Sequence, residues 1–448
     1  MVMPNLSIVT NGEWSEVADL LEHAFGQSLG ERARSFEKLL FDPKRSLVAY
    51  DGACGPIGHA SSYAMRMRIP GGAVNAAAVC LVGVLPTHRR QGVLSTLMRH
   101  QLNDIYEYGR EPVAILQATE AGIYGRFGYG IASEGFSVEV ARCHNGLRPV
   151  SGTDEVPLRP AVAGEVRDLI ADIRETALKD RPGSVKHDAA LRTREVMDTR
   201  TPGPNFSGLR CVLAQRENIV TGYALYCTYP RYSVAIPEGR VRVRRVHALD
   251  LASYIRLWMF LLDQDLMALT THDHLPGDDP LLNILEDVRA AKAWRRDGLW
   301  LRVVDVEAAL SKRSYACPVD VVIAVRDRLC AWNAGRWHRE GDRRGGSCRR
   351  CKRGPDIALD VRELGALYLG RPSAVALSAR RRLPVVDWWT AGRTRTPRSE
   401  SGTQELLPRR GRVDSRGSRS PLSCSRLPPH SRSGAAAPGL SWPEGASR

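Results

Sequence analysis

An α+β fold of three successive compact units followed by an unstructured tail is what this sequence predicts, on three observations. Helical and strand periodicities alternate along the first 380 or so residues, one strand, turn, helix, strand order recurs, and beyond Arg380 periodicity stops. The 448 residues, 43% apolar and 25% charged, suffice for two or three domains that each bury a core.

The first unit, 1–145, opens with a helix whose Trp14, Val17, Leu21 and Ala24 recur at helical spacing. Apolar or alternating runs at 46–51, 57–67 and 74–85, cut by Gly52, Gly55, Pro56, Pro70 and Gly72, predict a meander of strands. A helix over 92–108 carries Leu94, Leu97, Met98, Leu102 and Ile105 on one face, and a strand at 113–118 follows. The second unit, 150–290, repeats this order weakly, with helices at 162–179 and 188–197 and strands at 209–214 and 222–229. It closes on a strand at 241–249, a helix at 252–262 and a strand at 267–271. We read it as a decayed duplicate, because no basic, glycine-containing turn precedes its last helix. The third unit, 291–380, predicts a small α+β domain with strands at 300–304, 319–325 and 329–332 and helices at 306–310 and 361–368. In 381–448, Arg, Ser, Pro and Gly exceed half of the residues, too little apolar surface to offset the entropy of ordering, so disorder is expected.

Composition excludes several classes. No apolar run is long enough to span a membrane, and the first ten residues lack a secretory signal pattern, so a cytoplasmic protein is expected. Ten cysteines scattered singly do not form a disulfide framework. The net charge of +15 invites nucleic acid as a partner, but its distribution argues against that. The tail after Arg380 holds thirteen arginines, no lysine and five acids, about half of the excess, with few aromatics to stack on bases. Cys348 and Cys351 have zinc-knuckle spacing without a second pair, and His272 and His274 fall in what reads as a polar turn; no metal site is expected.

The sharpest signal is 82–94, VGVLPTHRRQGVL, where a buried strand ends in a basic turn and a helix starts at a glycine. The first N–H groups of that helix, from Val93, have no intrahelical partner, and the helix dipole places partial positive charge there. Gly92 admits a close backbone approach, and Arg89 and Arg90 add forked donors. This is a cradle for a pyrophosphate. Val82 and Val84, at strand spacing, offer backbone groups to an extended amide-bearing ligand.

These residues resemble the coenzyme A-binding motif of GNAT acetyltransferases, V-x-V followed by x-P-T-H-R-R-x-G, and particularly that of the Eis (enhanced intracellular survival) family. The stretch 122–130, GIYGRFGYG, is similar to a second family segment and implies that Tyr124 is the general acid, with Tyr129 the competing choice. Similarity continues through 297–302 and 367–370. The resemblance implies two tandem GNAT-like domains, the second degenerate and without a coenzyme site, then a sterol-carrier-like domain. It also implies acetyl-CoA as co-substrate, a primary amine acceptor (an aminoglycoside, a polyamine or a lysine side chain) and a homo-hexamer. Trp14 and Phe25 are candidates to line the amine pocket. Beyond Ala379 the resemblance gives way to sequence of the kind that out-of-frame translation of GC-rich DNA produces. The family's C-terminal phenylalanine, whose carboxylate is the proposed base, is therefore missing. The alternatives are a coenzyme A-binding scaffold without turnover and a nucleic-acid binder acting through its tail.

Overall fold

Two helices of the first unit cover opposite faces of its sheet. In the computed structural model, which describes residues 5–8, 14–51, 55–148, 150–199, 205–234 and 236–370, the unit comprises β1 (Asn5–Ile8), α1 (Trp14–Phe25), α2 (Glu31–Lys38), β2 (Ser46–Asp51), β3 (Gly55–Ile69), β4 (Gly72–Val84), α3 (Val93–Tyr108), β5 (Val113–Leu116), the single turn α4 (Ala121–Tyr124) and β6 (Gly130–Ile131). The apolar stripe of α1 buries Trp14, Val17, Leu21 and Ala24, and that of α3 buries Leu97, Met98, Leu102 and Ile105. Two glycines let them approach from opposite sides. A Cβ on Gly83 of β4 would lie 3.1 Å from Leu21 and Ala24, and one on Gly58 of β3 would lie 2.9 Å from Val93.

The chain continues through β7 (Glu134–Ala141), β8 (Leu158–Ala161), α5 (Arg167–Ala177), α6 (Ala189–Val196), β9 (Arg210–Arg216), β10 (Ile219–Tyr229), the hairpin β11 (Tyr232–Ser233) and β12 (Ile236–Pro237), β13 (Gly239–Ala248), α7 (Leu251–Leu262), β14 (Met267–Pro276), α8 (Leu281–Ile284) and β15 (Ala291–Asp297). It ends with β16 (Trp300–Val303), α9 (Val306–Lys312), β17 (Val319–Arg326), β18 (Gly335–Asp342), β19 (Gly345–Arg350), β20 (Ile357–Asp360) and α10 (Val361–Leu367). The last four strands form a sheet ordered β19-β18-β17-β20.

The two large sheets are built alike. Their orders are β1-β2-β3-β4-β5-β16-β6 and β8-β9-β10-β13-β14-β7-β15. In each, four strands pair antiparallel, the fourth and fifth run parallel, and the sixth place is taken by a strand from elsewhere in the chain. The recurrence read near 241–271 is thus a recurrence of topology. The unit boundaries are crossed, however. Strand β7, grouped with the first unit, completes the second sheet, and β15 and β16, grouped with the third, complete the second and first. The reason is burial: all four residues of β5 and all four of β16 are buried, and a strand buried on both faces needs pairing on both edges.

Two local expectations are corrected. Residues 329–332 are no strand; a 3-10 turn, Ala331–Asn333, stands there because the Asp327 carboxylate accepts the N–H groups of Leu329 and Cys330 at 3.1 and 3.0 Å. His272, Asp273 and His274 lie within β14 instead of a loop, with His272 buried; burial pushes its imidazole down to about 3. The tail expected to be disordered, 381–448, lies outside the described residues.

The second sheet also explains its missing glycine turn. At the start of α7 the Asp250 carboxylate accepts the Ser253 N–H and hydroxyl, both at 2.9 Å, so the protein's own anion occupies the helix end. Asp250→Ala is expected to cost about 1 kcal/mol of stability, read as a lowered Cm in urea.

Candidate active site

The parallel pairing of β4 with β5 covers only Ala76 to Ala78 against Val113 to Ile115, after which β4 runs on to Val84 while β5 ends. Among the described residues, that leaves a strand edge without a strand beside it. Leu85 donates its N–H to the Ile57 carbonyl at 2.9 Å, toward β3. By strand alternation Val84 and Val82 direct their backbone groups to the other side, where β5 has ended. A bulge at Leu81, with φ of 51°, breaks the β3/β4 register here. The Leu81 carbonyl accepts from His59 Nδ1 at 2.6 Å.

At the end of this edge the chain turns through 3-10 residues Pro86–His88 and enters α3. Arg90 and Gly92 both have left-handed φ, 61° and 91°, a geometry that turns successive amides inward. The first helical bond is Thr96 N–H to Gly92 O at 3.0 Å, so the amides of Val93 to Ser95 precede the ladder. The two arginines differ. Both are exposed, but Arg89 is tied to the end of α1, its Nη2 donating to the Ala24 carbonyl at 2.6 Å, whereas Arg90 stands beside the helix start.

Tyr124 sits at the last residue of α4 and is closed by a Schellman turn. Tyr129 donates its N–H to the Tyr124 carbonyl at 3.3 Å, Gly128 donates to Gly125 O at 3.2 Å, and Gly128 has the left-handed φ of 84° this closure requires. The apolar contact that accompanies such turns is the two tyrosine rings, edge to face at 6.0 Å. Tyr124 shares a buried cluster with Ala77, Val79 and Met98, against which Val82 and Leu94 pack. The candidate acid therefore shares its apolar cluster with Val82 of the strand edge and Leu94 of the helix start. Burial, then the charge of Glu120, pushes the Tyr124 hydroxyl up to about 12. Tyr129 is wholly buried, its Oη without a partner among the described residues, and burial pushes it well above the ordinary phenol range.

Trp14 and Phe25 are not brought together at this point. Trp14 is buried in the core with its ring 5.0 Å from Phe41, while Phe25, half-buried, packs near Gly83 at the end of α1. His59 was not singled out from sequence; a lone histidine in a strand carries no signal. It is fully buried, and burial, opposed by its bond to Leu81, pushes its imidazole down to about 4. Among the described residues no three metal-ligating side chains cluster, and no helix is long and apolar enough to cross a membrane.

Known proteins resemble this chain. Models of an acetyltransferase (GNAT) domain match residues 5–132 and, separately, 183–303, and a model of a sterol carrier protein domain matches 306–394. An uncharacterized N-acetyltransferase of Streptomyces avermitilis is 38% identical over 378 residues, covering 84% of this chain and 92% of its own. N-acetyltransferase Eis of Mycobacterium tuberculosis is 32% identical over 400 residues, with coverage of 84% and 92%. The crystal structure of Eis1 from Mycobacterium abscessus aligns with a TM-score of 0.70 at 31% identity, covering 85% of this chain and 93% of that one. At these identities and coverages the similarities establish that the chain belongs to the Eis family of GNAT N-acetyltransferases.

Proposed function

We propose that the protein transfers the acetyl group of acetyl-CoA to a primary amine, an aminoglycoside, a polyamine or a lysine side chain, at the point where β4 parts from β5. The observation that carries this reading is that the buried Tyr124 shares one apolar cluster with Val82, on a strand edge left unpaired among the described residues, and with Leu94, in the first turn of the helix that starts at Gly92. The chain's residues fit the coenzyme. Val82 and Val84 would pair with the amides of its pantetheine arm, and the amides from Gly92 and Val93 onward, with Arg90, would hold its pyrophosphate. Arg89, already engaged with Ala24, would shape the turn more than contact the phosphates. Acetyl-CoA supplies a thioester activated toward an amine; Tyr124 would give its proton to the departing sulfur. Trp14 and Phe25 would act by packing α1 beside the site, Phe25 being the one placed near its rim.

The expected units, 1–145, 150–290 and 291–380, remain our reading of how the chain is organised in function: coenzyme binding in the first, none in the second, where Asp250 fills the helix end. A hexameric assembly and a cytoplasmic location are proposed on family likeness, and sedimentation analysis tests the first.

Two measurements test the activity. Coenzyme A release is assayed against a panel of aminoglycosides, polyamines and lysine peptides; release above hydrolysis with at least one amine is expected, and none with any would leave only a coenzyme-binding scaffold. Arg90→Ala is expected to raise the acetyl-CoA dissociation constant about tenfold, the loss of one charge-assisted contact, and Arg89→Ala less, by calorimetry. Equal affinity in Arg90→Ala removes the cradle assignment.

A further inference from the structure

The three glycines that follow Tyr124 face the last part of the chain. A Cβ on Gly125 would lie 3.1 Å from Arg362 Nη1, and one on Gly128 would lie 2.7 Å from Arg302 Nη1 and 2.9 Å from Val361. A Cβ on Gly130 would overlap the α10 backbone at Arg362 and Ala366, and one on Gly365 of α10 would overlap the Leu301 carbonyl of β16. The acid turn is therefore held between the exchanged strand β16 and α10, with glycine wherever the two sides meet. Beneath its left-handed residue lies Arg302, wholly buried. Arg302 Nη2 donates to Asp327 at 2.7 Å, and Asp327 also accepts from the N–H groups of Leu329 and Cys330 and from Asn333 Nδ2 at 3.1 Å. A carboxylate so fully engaged fixes the guanidinium it holds.

We propose that Arg302, anchored by Asp327, is a positioning residue for the acid turn. It supports Gly128 from below, keeps the Tyr129 N–H closed on the Tyr124 carbonyl, and thereby sets the Tyr124 ring at the strand edge. The C-terminal unit is then a working part of the acetyltransferase site. The proposal rests on the assignment of Tyr124 as the acid. Losing a guanidinium that only stabilised the core would lower the melting temperature without selecting kcat, and without depending on Tyr124.

The test is a cycle in the full chain. Arg302→Met with Asp327→Leu removes both charges and leaves neither buried alone. kcat and the acetyl-CoA dissociation constant are measured for this pair in the parent and in Tyr124→Phe. In the parent, kcat is expected to fall about tenfold or more with the dissociation constant within about twofold, since displacing a reacting group by a fraction of an ångström costs rate and not coenzyme affinity. In Tyr124→Phe the same pair is expected to change kcat less than about twofold, because the group it positions no longer acts. An equal fall in both backgrounds, or no fall in the parent, overturns the proposal. Tyr124→Phe alone reports separately on the acid assignment, and unchanged turnover there would remove both. If near-UV circular dichroism shows the Arg302 pair unfolded, Gly128→Ala, which presses a methyl group onto the Arg302 guanidinium at the left-handed turn, takes its place under the same criteria.

Discussion

Tyr124→Phe is expected to lower kcat about a hundredfold while leaving the acetyl-CoA dissociation constant within about twofold, measured by steady-state turnover and calorimetry. The substitution removes one hydroxyl and keeps the ring whose edge-to-face contact with Tyr129 completes the turn. Folding should therefore be spared. Because burial pushes the Tyr124 phenol up to about 12, the group stays protonated through the neutral and moderately alkaline range. Turnover should then show no loss from its ionisation until pH approaches 12; a decline centred near pH 9 that disappears in Tyr124→Phe would contradict the environment described. Tyr129→Phe is expected to leave kcat nearly unchanged, since its hydroxyl is wholly buried with no partner among the described residues. If Tyr129→Phe shows the hundredfold loss instead, the two roles exchange.

A fragment of residues 1–145 expressed alone is expected not to fold. Its sheet would lack β16, and with it the buried side chains of Trp300, Leu301 and Val303 that lie between β5 and β6. Each is worth about 1.5–3 kcal/mol in burial, against a net stability of about 5–15 kcal/mol for a whole domain. The loss also leaves β5 with an unpaired edge, β6 without the one strand it pairs with among the described residues, and β7 without the strands β14 and β15 that flank it. Amide dispersion in a proton–nitrogen spectrum decides this; a dispersed spectrum with a cooperative melt would show that the first sheet stands without its exchanged strand.

What was legible in the sequence is what short-range physics writes there. The strand into Val84, the turn at Arg89 to Gly92 and the helix from Val93 announce themselves by a change of apolar period across a glycine, and all three stand where expected. The run at 300–303 also says strand, but a fully buried strand carries no mark of which sheet it joins, so β16 was grouped with its neighbours in sequence. Likewise Asp327 looked like any loop acid. Its capture of two backbone N–H groups and a buried arginine, which turned an expected strand into a 3-10 turn, depends on partners that pattern alone does not identify. His272 was hidden for the opposite reason: acidic, Pro- and Gly-rich neighbours suggest a turn, and pairing of β14 with β13 and β7 overrides them.

The exchange of β16 into the first sheet also sets a timetable. Trp300 leaves the ribosome about 170 residues after Ile131, so at roughly 5–20 residues per second the nascent first sheet waits on the order of ten to thirty seconds for its missing member. Throughout that interval the fully apolar segment of β5 stays without its partner strand, exposed to pairing with neighbouring nascent chains. Soluble yield should accordingly depend on how fast residues 132–299 are translated and on whether a holdase covers that segment meanwhile.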